Sequence, residues 1–334
     1  MTSKIQTLDP ITTSQIAAGE VVERPASVIK ELCENALDAG ATVIEIEVEQ
    51  GGIRSMIVRD NGSGMTAEDS LQAFLPHATS KLRDLSDLNA LNTLGFRGEA
   101  LPAIAAVSRM TLVTRTDDME HGVKVSLEGG DLLEQVPEGT ARGSTFEVRD
   151  LFYNTPARYK FLKTDRTEGM YITRIVTDLA LARPDVSFRL SNDGKEKIHT
   201  PGNGELIAAI YALFGHDIAA EMIEIEPIQG SPVQLRGYLG KPSISRRSRQ
   251  MQYFNVNARP FQSALLAKAL EQGYAGQMMK HKFPVAVLHL DVSPSLIDVN
   301  VHPQKLEIRF WDDSKVFREV MHQVQGTLQH ALVQ

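Results

Sequence analysis

Cysteine occurs once in the 334 residues, as Cys33, so no disulfide can close within the chain and stability has to come from packing. Tryptophan also occurs once, and aromatics make up only 6%. No apolar run approaches the ~20 residues of a membrane span, and the first residues lack the basic-then-apolar pattern of a signal peptide. These absences exclude disulfide scaffolds and membrane spans and give the expectation of a cytoplasmic chain. Repeats of 20–50 residues and low-complexity tracts are missing, which excludes solenoids. The pattern G-x-x-x-x-G-K-[ST] is missing too, which excludes a P-loop.

What is present has the size of two domains at ~150 residues each, with 42% apolar and 23% charged residues. The net charge of −7 is unevenly spread. Residues 1–150 hold 13 Lys+Arg and 24 Asp+Glu, whereas 151–334 hold 22 and 18. The turn-rich stretch 192–204 marks the expected boundary, giving domains of 1–204 and 205–334.

From Pro25 to Gly40 the pattern predicts a helix, with proline in its first turn, apolar residues at helical spacing and a terminal glycine. Ile44, Ile46 and Val48 alternate with glutamates and lead through Gly51-Gly52 into a second β-rich run, which predicts a hairpin with one solvated face. Helices are expected at 66–75, 99–107 and 166–182, strands at 110–116, 122–127, 144–149 and 186–191, and a closing helix from Ser314. Helices followed by mostly antiparallel strands point to an α/β (α+β) sandwich rather than βαβ units.

Four clusters carry chemistry. Glu31 and Asn35 lie four apart on one helix face, where an amide oxygen suits Mg²⁺ and a carboxylate suits proton acceptance from water; a solvated polar face is the plainer reading of such a pair. Asp60-Asn-Gly-Ser-Gly64 follows a strand, with glycines that allow close approach of a flat ligand and a carboxylate able to accept from an exocyclic amine, though a structural turn has the same composition. Leu94-Gly-Phe-Arg-Gly-Glu-Ala-Leu101 is a glycine-bearing loop entering a helix, suited to phosphate. Asp298-Val-Asn-Val-His-Pro-Gln-Lys305 could swing Lys305 out on a loop, as a surface lysine or toward a terminal phosphate.

In order and spacing these segments, together with Gly143-Ser-Thr145, resemble the four nucleotide motifs of the GHKL ATPase superfamily. Within it, Gln15-Ile-Ala-Ala-Gly-Glu-Val-Val-Glu-Arg-Pro25, Phe74 to Lys81, Asp150 to Arg158 and Val299 to Pro303 resemble the MutL family of DNA mismatch-repair proteins, over essentially the whole chain. The resemblance implies a Bergerat-type ATP site followed by a ribosomal S5-like α/β domain. It implies ATP and Mg²⁺ as cofactors, Glu31 as general base and Asn35 on the metal. Asp60 would take the adenine amine, and Gly62, Gly64, Met65 and Thr145 would join it in binding the nucleotide. Thr79, Lys81, Leu94, Gly95, Phe96, Arg97, Gly98 and Glu99 would lie in or beside a lid over the phosphates, and Lys305 would reach the γ-phosphate.

The same resemblance implies a slow ATPase that forms a homodimer when ATP is bound, using the N-terminal arm; Ile5, Leu8, Ile11 and Ile16 offer apolar anchors there, for a second copy or equally for packing against their own domain. It implies a mismatch-recognition protein and a downstream nuclease or helicase as partners, no membrane, and association with the nucleoid during repair. A type II topoisomerase ATPase fragment and a non-catalytic nucleotide-regulated scaffold are the competing readings; a sensor kinase built on His77 or His121 is weaker. DNA is expected as a largely sequence-independent partner, because residues 227–270 contain no carboxylate while holding Arg236, Lys241, Arg246, Arg247, Arg249, Arg259 and Lys268. Arg158 heads a second basic group.

Overall fold

Helix α1 (Pro25–Asp38) forms where expected: Pro25 opens its first turn, and Val28, Ile29, Leu32, Cys33, Ala36 and Leu37 are all buried. It ends as the Ala41 amide returns to the Ala36 carbonyl at 3.0 Å and the Gly40 amide to Leu37 at 3.0 Å, which satisfies carbonyls the helix leaves unpaired. The computed structural model describes residues 19, 21–76, 78, 98–228, 231, 233–292, 297–298, 309–310 and 312–333. These divide into two units, Met1–Val176 with Val186–His199, and Thr177–Asp185 with Thr200–Gln334.

In the first unit α1 is followed by β1 (Val43–Glu49), a 3-10 turn at Gln50–Gly52, β2 (Ser55–Asp60), α2 (Ala67–Gln72), α3 (Ala100–Ala106), β3 (Arg109–Arg115), β4 (Gly122–Glu128), β5 (Asp131–Glu138), β6 (Gly143–Arg149), α4 (Pro156–Tyr159), the first part of α5 (Asp165–Ala182), β7 (Ser187–Asn192) and β8 (Lys195–His199). The eight strands form one sheet in the order β5-β4-β3-β6-β2-β1-β7-β8. Only β1 and β7 pair in parallel; the other ladders are antiparallel. Ile44, Ile46, Val48, Met56, Val58, Met110, Leu112, Phe146, Val148, Phe188 and Leu190 are buried on one face. Each such side chain contributes ~1.5–3 kcal/mol on burial, which fixes the register, since a slip of one residue would turn the whole set outward.

The sequence pattern does not reveal β5 and β8. All eight residues of β5 are exposed and four of the five in β8. They are the sheet edges, so neither shows the apolar alternation that a half-buried strand needs, and β5 carries Pro137, a residue tolerated at an edge.

The second unit contains α6 (Leu206–Phe214), α7 (His216–Ala219), β9 (Met222–Glu224), β10 (Val233–Gly240), β11 (Gln252–Val256), β12 (Arg259–Phe261), α8 (Ala264–Gly273), β13 (Ala286–Val292), a short pair β14 (Ile297–Asp298) and β15 (Arg309–Phe310), and α9 (Asp313–Val333). Its main sheet runs β12-β11-β13-β10-β9, with β11 and β13 parallel. One face, including Leu235, Phe254, Leu288 and Leu290, packs with α8 and α9 residues such as Leu266, Leu270, Val320 and Val324. The other face sets Tyr253 and Val287 against Leu181 and Ile210, with Leu206, Leu213 and Phe214 around them.

Candidate functional site

Glu31, Asn35 and Ala39 recur every four residues and so form a stripe along α1 and its end. The turn after β2 lands on that stripe: the Ser63 amide donates to the Ala39 carbonyl at 2.9 Å, and a Cβ at Gly62 would meet both the Ala39 side chain and the Asp60 carboxylate. The Asp60 turn therefore rests on the end of the helix that bears Glu31 and Asn35. Glu31 and Asn35 are half-buried where their apolar neighbours are fully buried. Lys30 lies 3.9 Å from the Glu31 carboxylate and 3.2 Å from that of Glu34.

Asp60 ends β2 on its core-facing side, in line with Met56 and Val58. Burial holds its carboxyl above the usual range, while the backbone amides of Gly62 and Ser144 pull the other way; the Gly62 amide donates to Oδ1 at 2.8 Å. Asn61 braces the turn, its Oδ1 accepting from the amides of Thr42 and Val43 at 2.8 and 3.0 Å. Arg142 holds the Gly62 carbonyl through Nε at 3.1 Å and pairs with Asp117 at 2.9 Å. Gly64 has φ +71° with its Cα against the Arg115 carbonyl, and Gly143 has φ +116° against the Asp60 carbonyl; any side chain at either position would strike backbone in a conformation that disfavours one. Met65 is fixed by its amide, which donates to the Thr114 hydroxyl at 2.9 Å.

Thr145 is not brought to this group. Ser144 is the direct partner of Asp60 across β2 and β6, and alternation along β6 turns Thr145 to the opposite, solvated face. Ser144, 6% exposed and 3.0 Å from the buried Thr114 hydroxyl, is the residue that sequence reasoning missed. The two-residue period, counted back from buried Phe146 and Val148, was the signal that could have found it.

Gly98 approaches Ala78 so closely that a Cβ there would strike the Ala78 carbonyl, so the residues flanking 79–97 meet. Glu99 is the residue from which α3 starts. Thr79, Lys81, Leu94, Gly95, Phe96, Arg97 and Lys305, with the arm residues Ile5, Leu8, Ile11 and Ile16 and with His77, lie outside the described residues. Among the described residues no group of three or more His, Cys, Asp or Glu could hold a metal. A cation beside Asn35 would therefore draw most of its oxygens from phosphate and water, as Mg²⁺ does.

Two family models match: "Histidine kinase-, DNA gyrase B-, and HSP90-like ATPase" over residues 23–131, and "DNA mismatch repair protein, C-terminal domain" over 210–329. The first spans α1, the Asp60 turn and Gly98. A DNA mismatch repair protein MutL from Desulforamulus reducens is 47% identical over 326 residues, 98% of this chain and 51% of that protein. The chain belongs to the MutL family. It spans about half the length of the curated relatives it matches. Among solved structures, the N-terminal domain of a DNA repair protein superposes with a TM-score of 0.82 at 25% identity, covering 96% of this chain and 99% of that one. An Aquifex aeolicus MutL ATPase domain complexed with ADP does so with a TM-score of 0.61 at 28% identity, covering 82% and 94%. The fold is thus that of the GHKL ATPases followed by an S5-like α/β domain.

The basic residues that the charge pattern singled out fall into unlike settings. In the second unit, carboxylates from outside the acid-free stretch come in to meet it. Arg249 pairs with Glu271 through two nitrogens at 2.7 and 3.0 Å and stacks on Phe283 at 5.1 Å; Lys241 meets Glu221 at 3.3 Å, and Arg236 meets Asp291. Arg249 is thereby already paired with a carboxylate. Arg247 and Lys268 are exposed, Arg259 is half-buried, and half-buried Arg246 donates to the Ile244 carbonyl at 2.7 Å. In the first unit Arg158 lies against the backbone of Gly19, with its guanidinium pKa lowered by burial, so it does not stand out from the surface.

Proposed function

We propose that the first unit binds ATP with Mg²⁺ and hydrolyses it slowly, and that this cycle drives pairing of two copies and DNA-responsive switching in mismatch repair. One observation carries the reading: the Asp60 turn sits on the end of the same helix stripe that bears Glu31 and Asn35. Asp60 accepts the exocyclic amine of the base, and the flat Gly62 and Gly64 backbone lets the ring approach. The Asn35 amide oxygen holds the magnesium ion. When bound, that ion offsets phosphate charge. Glu31, half-exposed and one turn before Asn35, orients a water and accepts its proton. Support comes from the neighbour named as an ADP complex.

DNA contact falls to exposed Arg247 and Lys268 and to Arg246 and Arg259. It is sequence-independent, because cations that grip phosphate read no bases. In repair the chain would stand between a mismatch-recognition protein and a downstream nuclease or helicase. The test is Glu31→Ala, assayed for ATP binding and phosphate release with and without DNA. Binding should persist within a few-fold while turnover falls by about 100-fold or more. Undiminished turnover would overturn the assignment.

A further inference from the structure

Behind the Asp60 turn, the buried hydroxyl of Thr114 on β3 makes three contacts. It accepts from the Met65 amide at 2.9 Å, donates to the Gly143 carbonyl at 3.0 Å and lies 3.0 Å from the Ser144 hydroxyl. A hydroxyl has one proton and two lone pairs. With the proton on Gly143 and one lone pair taken by Met65, the remaining lone pair can only accept, so Ser144 must be the donor of that third bond. The Ser144 hydroxyl then has no proton left for anything else.

We infer that Thr114 is a positioning residue that fixes Ser144 as a pure acceptor beside Asp60, so that the base pocket favours adenine over guanine. This rests on the nucleotide reading above. Asp60 when ionised also only accepts, and Ser144 is its direct cross-strand partner on the same face. Two acceptors side by side suit the amine donor of adenine. At the same position guanine carries a carbonyl, whose lone pairs would face theirs without a proton between them, and a desolvated site penalises such unpaired groups heavily.

The test is equilibrium binding of ATP and GTP, with magnesium, to the wild-type chain, Thr114→Val, Thr114→Ser, Ser144→Ala and the double Thr114→Val/Ser144→Ala. Valine keeps the shape but removes the acceptor, freeing the Ser144 proton to turn toward the base. The ATP preference should then fall about tenfold, one hydrogen bond's worth, whereas Thr114→Ser should keep it within about twofold. In the Ser144→Ala background Thr114→Val should change the preference no further. The inference is overturned by an unchanged preference in Thr114→Val, by no rescue in Thr114→Ser, or by a valine effect that persists without the Ser144 hydroxyl. Should Thr114→Val fail to fold, Ser144→Ala decides: a lowered preference supports the inference and an unchanged one overturns it. A wild-type chain that binds neither nucleotide overturns the site reading as well, which separates the two failures.

Discussion

The two sheets solve the same packing problem differently. The eight-stranded sheet buries one face under helices, and its other face alternates half-exposed and charged residues: Arg109 with Glu128 at 3.1 Å and Asp150 at 2.6 Å, Lys124 with Glu134 at 2.8 Å, Arg189 with Glu196 at 2.9 Å. The five-stranded sheet packs on both faces, so some polar residues are enclosed. Asn255, 2% exposed, bonds His289 at 3.3 Å, and His289 also donates to the Leu181 carbonyl. An open face tolerates charge cheaply because water screens it. A closed face accepts only polar groups that satisfy one another. The proposed nucleotide site lies on the first sheet's buried face, at the strand end where Asp60, Ser144 and Thr114 replace hydrocarbon.

That contrast can be broken most severely at Gly143. Gly143→Ala forces a Cβ into the Asp60 carbonyl at positive φ, and should cost about 3 kcal/mol or more and abolish nucleotide binding together with stability. Urea denaturation and ATP titration check it, and an alanine variant as stable as wild type would refute the close approach.

A smaller effect distinguishes the closed face. Burial lowers the His289 pKa to about 4 from its ordinary 6.5, with Arg236 adding to the shift. The folded state therefore binds fewer protons than the unfolded chain between these values, and the stability present above pH 6.5 is lost as pH falls toward 4. Between pH 7 and pH 5 the loss should be about 2 kcal/mol. Unfolding curves of wild type and His289→Gln at the two pH values would show it as a shallower dependence in the variant; equal slopes would mean that this ring does not govern the loss.

The smallest effect belongs to the open face. Lys124 and Glu134, bonded across β4 and β5, are each at least a third exposed. A double-mutant cycle to alanine should return only a weak coupling that fades with salt. A strong coupling that survives high salt would show that this face is not solvated as described.

Much of this was legible in the chain. Helix α1, the β1–β2 hairpin and the pairing of Glu31 with Asn35 follow from spacings of four and two residues, because local geometry repeats at those periods. The edge strands β5 and β8 escaped because a strand exposed at nearly every residue has no period to read. The motif reading named Thr145 for the nucleotide, whereas the register sets Ser144 beside Asp60, because a motif names a neighbourhood and the pleat decides which of two adjacent side chains faces inward. The acid-free stretch 227–270 shows the same limit of reading along the chain. Freedom from carboxylates along the sequence does not prevent Asp291, Glu221 and Glu271 from arriving in space.

The sequence alone therefore determined helix α1, the β1–β2 hairpin, the helix stripe of Glu31 and Asn35 and the family resemblance, since each depends on residues a few positions apart. Tertiary structure alone decided that the Asp60 turn rests on Ala39, that Ser144 rather than Thr145 stands beside Asp60, that the Thr114 hydroxyl meets that of Ser144, and that Arg249 is already paired. These depend on register and on close approach between segments tens of residues apart, which only the folded chain brings together.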